Sequence, residues 1–187
     1  MKKLSHVTEQ TRKKLIDSFW DIYKNNDISK ITVGKICKKA KYDRTTFYRY
    51  FFDLDDLINQ LEDEIIVSIE EGIKNSQKRT TGILTKGFKS FSKKYGEYIT
   101  VFYEKGNKSF WNKFKTLIKN EVLAYLNYNI QDENKKEFLY EFLFSSLINS
   151  YTYWYKHKDN MSLEDFVEYV NIIILYGTSS FLKKNSE

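Results

Sequence analysis

Residues 32–57 decide the fold, and they read Thr-Val-Gly-Lys-Ile-Cys-Lys-Lys-Ala-Lys-Tyr-Asp-Arg-Thr-Thr-Phe-Tyr-Arg-Tyr-Phe-Phe-Asp-Leu-Asp-Asp-Leu. Thr32 can cap a short helix, because its hydroxyl can accept an N–H that the first helical turn leaves without a partner. Asp43 can cap a second helix in the same way, with Phe47 and Phe51 four residues apart on its buried face. Two short capped helices separated by a tight turn, followed by an acid-rich helix start at Asp53, predict a helix-turn-helix unit.

Positive charge is concentrated in the same part of the chain. Residues 1–50 contain 13 Lys and Arg against 5 Asp and Glu, a net charge of +8, whereas the remainder carries 18 against 20, a net charge of −2. A basic segment joined to a nearly neutral body is typical of a protein that binds nucleic acid. The alternative is a helical hairpin whose charges are only solvated, but caps, turn and aromatic spacing all agree on DNA binding.

The rest of the chain is predicted to be helical throughout. It has no proline and only seven glycines, so little interrupts long helices. We expect an all-α fold of about nine helices. Besides the two helices of residues 32–51, the predicted helices are 9–25 capped by Thr8, 54–75, 81–95 interrupted by Gly96, 97–105, 109–127, 134–156, and 163–183 capped by Ser162.

These N-terminal residues resemble the DNA-binding domain of the TetR family of bacterial regulators. The matching elements are Thr32, Ile36-Cys37, Ala40-Lys41-Tyr42, Tyr48-Arg49-Tyr50-Phe51, and the stretch from Asp53 to Leu57. Three departures are that Lys41 replaces the usual glycine of the turn, Leu54 replaces a lysine that contacts phosphate in many members, and Cys37 replaces a usual alanine at a core position. If the turn requires a positive φ, Lys41 costs about 1–2 kcal/mol there.

The resemblance implies two domains and a dimer. Residues 1–53 would form a three-helix helix-turn-helix DNA-binding domain, and residues 54–187 a helical effector-binding and dimerisation domain. The last two helices would pair with those of a second copy, so that two recognition helices meet a near-palindromic operator. Residues 110–118, Trp154 and residues 161–164 loosely resemble the branch that includes regulators of dihydroxyacetone kinase operons, from which no effector is inferred.

The candidate DNA-binding residues fall into two groups. Arg44, Thr45 and Thr46 open the recognition helix and are the candidates for base edges, where an arginine can pair with a guanine through two hydrogen bonds. Thr32, Lys35, Tyr48 and Tyr50 are candidates for phosphate contacts, which set position but not sequence. Arg49 is compatible with either role, and Tyr48 and Tyr50 are also compatible with packing on the first helix.

Regulation is expected to act through the C-terminal domain. Aromatic residues at helical spacing are candidates for an effector pocket, although aromatics at this spacing are also typical of a core: Tyr98, Phe102, Phe114, Tyr151 and Trp154. The alternative is a dimer that binds no small molecule and is regulated by its abundance or by a protein partner. The sequence is compatible with a repressor and with an activator, because the direction of regulation depends on where the operator lies.

Other classes of protein are not favoured. The sequence contains no HExxH, no CxxC and no Gly-rich phosphate loop, and its histidines are only His6 and His157, so we predict no enzyme, metal or cofactor. A single cysteine, Cys37, fits a reducing cytoplasm. The sequence contains no run of 18 consecutive apolar residues, so we expect no membrane span. The alternatives kept are a transcriptional activator or adaptor with a partner-binding body, and an architectural protein that binds any duplex.

Overall fold

The structure is a computed structural model that describes residues 2–76, 86–125 and 131–177. Its α-helices are α1 Lys2–Tyr23, α2 Val33–Ala40, α3 Arg44–Tyr48, α4 Leu54–Ser76, α5 Lys86–Glu104, α6 Lys108–Tyr125, α7 Glu133–Lys156 and α8 Leu163–Gly177, with a single 3₁₀ turn at Ile28–Lys30. The predicted all-α fold class is therefore confirmed over these ranges. The chain divides into two compact units, Met1–Val67 and Ser68–Glu187, and the division falls inside α4.

The first unit is built around a small aromatic and aliphatic core. Helix α1 packs against α2, and α2 packs against α3. Leu15 and Phe19 of α1, Ile36 of α2, Phe47 of α3 and Leu57 of α4 are fully buried. Because α3 contributes essentially one buried side chain to this core, its other faces are left for solvent or for a partner.

The predicted caps of α2 and α3 are confirmed. The Thr32 hydroxyl accepts the backbone N–H of Lys35 at 3.3 Å, and the Asp43 carboxylate accepts the backbone N–H of Thr46 at 2.6 Å. Between the two helices, Lys41 has φ 61° and ψ 41°, which is the left-handed region expected from its place in the turn. The chain thus holds a lysine in a backbone conformation that glycine adopts at lower cost.

The start of α1 differs from the prediction. The helix begins at Lys2, so Thr8 lies inside it and is not the predicted N-cap. No proline or glycine occurs before Thr8, so nothing in this segment stops a helix from extending toward the N-terminus. The end at Tyr23 lies two residues before the predicted end.

Gly96 does not interrupt a helix, and this part of the prediction is wrong. Helix α5 runs without a break from Lys86 to Glu104, which reduces the predicted nine helices to eight within the described residues. Gly96 is buried, and a Cβ added to it would lie 2.3 Å from the Cε2 atom of Tyr155 and 2.6 Å from the hydroxyl of Tyr151. The glycine is therefore required by the close crossing of α5 and α7 and not by a turn.

The second unit packs α5, α6 and α7 against one another, and α8 against α7. Gly106, with φ 62°, turns the chain from α5 into α6, and the Asn107 side chain caps α6 by accepting the Phe110 N–H at 3.0 Å. Ser162 caps α8 as predicted, since its Oγ accepts the Asp165 N–H at 3.0 Å. The predicted helix start at residue 81 and the predicted ends at residues 127 and 183 lie outside the described residues. Over the ranges that the structure describes, no helix combines the length and the apolar character needed to cross a membrane.

Candidate nucleic-acid interface

Helix α3 is held at its start by one strong cap. The Asp43 carboxylate accepts the backbone N–H of Thr46 at 2.6 Å, and this hydrogen bond is the main reason why the pKa of Asp43 lies below its usual value. At the other end, Phe47 is fully buried and packs against Phe51, with 5.2 Å between the ring centroids. These two attachments fix the helix while leaving its outer face exposed.

Arg44 occupies the first position of α3 and is exposed. Its guanidinium lies against the first turn of α2, since a Cβ added to Gly34 would be only 2.9 Å from Nη2. Cys37 of α2 is buried nearby, and burial raises the pKa of its thiol although the positive charge of Arg44 acts in the opposite direction. A protonated, buried thiol is typical of a cysteine that packs as part of a hydrophobic core.

The remaining candidates of α3 differ in exposure. Thr45 and Arg49 are exposed, whereas Thr46 is half-buried and gives its backbone N–H to the Asp43 cap. Tyr48 is 57% exposed and touches the Phe47 ring edge-on. Arg44, Thr45 and Tyr48 of α3, and Arg49 directly after it, are thus exposed and accessible to a duplex.

Thr32, Lys35 and Tyr50 already take part in contacts within the first unit. The Thr32 hydroxyl oxygen accepts the cap hydrogen bond of α2, which leaves its O–H able to donate, and the Lys35 ammonium donates to the backbone carbonyl of Lys30 at 2.6 Å. Tyr50 is half-buried, and its backbone carbonyl accepts a hydrogen bond from the Gln60 side chain at 3.2 Å. Lys35 is exposed, so its long side chain can exchange the carbonyl for a phosphate at low cost.

Arg12 and Gln60 are residues that sequence reasoning missed. Arg12 of α1 pairs with Glu64 of α4 and also donates to Gln60 of α4 at 2.7 Å. No local pattern indicates these contacts, because Gln60 and Glu64 lie 48 and 52 residues after Arg12 in the chain. Part of the basic excess of the first 50 residues is therefore used inside the first unit.

The predicted effector residues of the second unit lie mostly in its core. Phe102 and Phe114 both pack on Phe110, with ring centroids 4.6 Å and 5.9 Å away. Tyr151 and Trp154 are 5.8 Å apart and are both buried. Tyr98 is half-buried.

The polar atoms of two predicted effector residues already have partners. The Tyr151 hydroxyl donates to Ser92 at 3.0 Å, and burial raises the pKa of Tyr151 to about 12. The Trp154 indole donates to the backbone carbonyl of Met161 at 3.0 Å. In this conformation both groups stabilise the helix packing.

Two other polar atoms among the described residues of the second unit are buried without a hydrogen-bond partner. They are the hydroxyl of Thr100 on α5 and the indole N–H of Trp111 on α6. The Trp111 ring lies edge-on to Tyr103 of α5, with 5.8 Å between the centroids. A buried polar atom without a partner is costly, so each is a place where a bound water or ligand would be stabilised.

Helices α7 and α8 expose large apolar side chains on single faces. Phe138, Phe142 and Tyr153 of α7 are separated by four and eleven residues, which places them along one side of the helix. Ile172 and Ile173 of α8 are likewise exposed, the latter by 69%. Among the described residues, no three His, Cys, Asp or Glu side chains form a group that could hold a metal ion.

Comparisons with known proteins agree with these features. A TetR family model, described as a transcriptional regulator C-terminal region, matches residues 78–176, which is more than half of the chain. The crystal structure of a TetR transcriptional regulator from Streptococcus agalactiae 2603V is similar with a TM-score of 0.67, and it is 22% identical. That similarity covers 91% of this chain and 96% of the other, and at this identity it supports the fold alone. No curated protein matches the chain.

Proposed function

The chain belongs to the TetR family of transcriptional regulators, and on that premise we propose that it is a non-enzymatic, cytoplasmic repressor that binds a near-palindromic operator as a homodimer. The observation that carries the proposal is the geometry of α3. A short helix capped by Asp43 and anchored by Phe47 directs Arg44, Thr45 and Arg49 into solvent. A helix-turn-helix unit uses such a helix in the major groove.

The proposed contacts follow from exposure and chemistry. Arg44 and Thr45 are the proposed readers of base edges, with Thr46 behind them, and a two-hydrogen-bond contact from Arg44 to a guanine discriminates by about 1–3 kcal/mol. Lys35, Tyr48 and Arg49 are the proposed phosphate contacts. Thr32, whose O–H can still donate a hydrogen bond, and the half-buried Tyr50 are proposed as further phosphate contacts at the edge of this surface.

The exposed apolar faces of α7 and α8 support the proposed dimer. Phe142 is 57% exposed and Ile173 is 69% exposed, and they belong to groups of exposed apolar side chains on α7 and α8, a grouping that is typical of a protein–protein interface. The two helices already share a core of Leu139, Leu143 and Ile174, so they can act as one surface. A two-fold axis through this surface would bury the same residues of both copies.

Release by a small molecule is the proposed means of regulation. The unpartnered Thr100 hydroxyl and Trp111 indole N–H support an effector that carries a hydrogen-bond acceptor, and Phe114, whose ring centroid is 5.7 Å from that of Trp111, would supply an aromatic wall. Tyr151 and Trp154 would contribute only after a shift of α7, since both are buried and hydrogen-bonded. The proposal therefore couples effector binding to helix movement.

The test is fluorescence anisotropy with the duplex upstream of the protein's own gene and a shuffled duplex of the same length. We expect binding to the upstream duplex to be tighter by about 10³ or more at physiological salt. Arg44→Ala should lose more affinity for the upstream duplex than for the shuffled one, whereas Lys35→Ala should lose equally on both. Equal binding of the wild-type protein to both duplexes would favour an architectural role and refute the operator proposal.

A further inference from the structure

Arg12 is the centre of a polar network that joins α1, α4 and the turn that follows α3. One guanidinium nitrogen pairs with the Glu64 carboxylate and the other donates to the Gln60 side-chain oxygen at 2.7 Å. Both partners lie on α4, whereas Arg12 lies on α1. Because the two nitrogens serve two different acceptors, the contact uses the fork of the guanidinium and not only its charge.

Gln60 extends the network to the end of the recognition helix. Its side-chain nitrogen donates to the backbone carbonyl of Tyr50 at 3.2 Å and to the Asp56 carboxylate at 3.1 Å. The same Asp56 oxygen accepts the backbone N–H of Phe52 at 2.8 Å. The turn between α3 and α4 is therefore held through Gln60 and Asp56, and Gln60 is held by Arg12.

Arg12 also touches the apolar side of the same turn. Its guanidinium carbon lies 5.5 Å from the centroid of the Phe51 ring, and Phe51 is almost fully buried. Phe51 in turn packs against Phe47, the buried anchor of α3. One side chain of α1 thus contacts both the polar and the aromatic groups that set where α3 ends.

We propose that Arg12 is a positioning residue for operator recognition, which fixes the end of α3 against α4 through Gln60 and Phe51 without contacting DNA itself. The proposal rests on the proposed function, because it requires that α3 reads an operator. The Arg12 side chain is 27% exposed and the Glu64 side chain is 51% exposed. Ion pairs with this much solvent contribute little to stability, so the effect of Arg12 lies in geometry.

The decisive variant is Arg12→Lys, which keeps the positive charge but has one nitrogen where the network needs two. Gln60→Ala is the second variant, because it breaks the link to Tyr50 while leaving Arg12 intact. Lys13→Gln is the matched control, since it removes one exposed charge from α1 beside Arg12. Affinity for the upstream and shuffled duplexes is measured over a range of salt concentrations, and the free protein is examined by hydrogen exchange at the Phe52 amide.

We expect Arg12→Lys to weaken operator binding on the order of tenfold, as the loss of a network contact typically does, with little change on the shuffled duplex. Gln60→Ala should do the same, and the double variant should lose no more than either single variant. The slope of affinity against salt should stay at its wild-type value in Arg12→Lys, and the Phe52 amide should exchange faster. Retained binding to the shuffled duplex shows that each variant is folded.

Three results would overturn the proposal. Wild-type operator binding by Arg12→Lys would mean that charge alone matters. A further variant, Arg12→Gln, removes the positive charge; equal losses on both duplexes in this variant, with a salt slope smaller by about one, would make Arg12 a phosphate contact. Unchanged Phe52 exchange in all variants would show that Arg12 does not hold the turn, and this readout stands even if the wild-type protein shows no operator preference and the proposed function fails.

Discussion

Replacing Gly96 with alanine tests whether the crossing of α5 and α7 depends on a missing Cβ. The added atom would lie 2.3 Å and 2.9 Å from two ring atoms of Tyr155, and 2.6 Å from the Tyr151 hydroxyl. Tyr151 cannot easily retreat, because it is buried and its hydroxyl is hydrogen-bonded to Ser92, one turn before Gly96 on α5. The two helices must therefore separate or the tyrosines must leave their positions.

The expected change in the free energy of unfolding follows from two destabilising effects and one stabilising effect. Inserting a methyl group into a close-packed contact costs about 1–3 kcal/mol, and weakening the Tyr151–Ser92 hydrogen bond adds about 1 kcal/mol. Alanine is a better helix former than glycine by about 1 kcal/mol, which offsets part of this cost. We expect Gly96→Ala to lower the free energy of unfolding by about 1–3 kcal/mol, equivalent to a fall in Tm of roughly 2–12 °C for a chain of this size.

Gly72→Ala is the matched control. Gly72 lies in α4, in the same compact unit as Gly96, and a Cβ added there would have nothing within 4 Å. The same substitution should therefore stabilise the protein by about 0.5–1 kcal/mol. Urea unfolding followed by circular dichroism measures both variants. If Gly96→Ala were stabilised as much as Gly72→Ala, the crossing would adapt freely, and the steric explanation of Gly96 would be wrong.

Three further predictions concern the turn, the core and the dimer. Lys41→Gly should raise the free energy of unfolding by about 1 kcal/mol in thermal unfolding, because the residue has φ 61°, and a clear loss would contradict this. Burial raises the pKa of Tyr151 to about 12, so the unfolded state ionises first and stability should fall between about pH 10 and about pH 12. Tyr151→Phe, which also leaves Ser92 without its donor, should show a smaller fall over that range, and an unchanged slope would exclude Tyr151 as a cause. The wild-type protein should be a dimer in light scattering if the proposed dimer is correct. Phe142→Glu should then be a monomer, whereas Phe52→Glu, at a residue 84% exposed in the first unit, should stay dimeric; a dimeric Phe142→Glu variant would refute the proposed interface.

The fold of the first unit was predictable because its signals are local. Thr32 and Asp43 each bond to a backbone N–H three residues further on, so the sequence alone contains both partners of each cap. The same holds for Ser162 and Asp165 at the start of α8. Lys41 is equally local, since its place directly after α2 implies the left-handed conformation that the structure shows.

The break predicted at Gly96 was wrong because the contacts that decide it are distant in the sequence. Gly96 suggested a break because glycine is a poor helix former, but the residues that require it, Tyr151 and Tyr155, lie more than fifty positions away. Aromatic spacing indicated Phe102, Phe114, Tyr151 and Trp154 without showing whether they face a cavity or each other. The structure buries all four, and it leaves the less conspicuous Thr100 and Trp111 with unpartnered polar atoms.

The sequence by itself determined the helical class, the capped helix-turn-helix unit and the concentration of positive charge, because hydrogen bonds within one turn and apolar spacing along a helix need no knowledge of the fold. Only the tertiary structure decided which charges are used internally. In the sequence, Arg12 is one of several cations in a basic segment. In the structure, α1 and α4 pack so that Arg12 contacts Glu64 and Gln60. Such a pairing depends on the packing of whole helices, and no short stretch of residues encodes it.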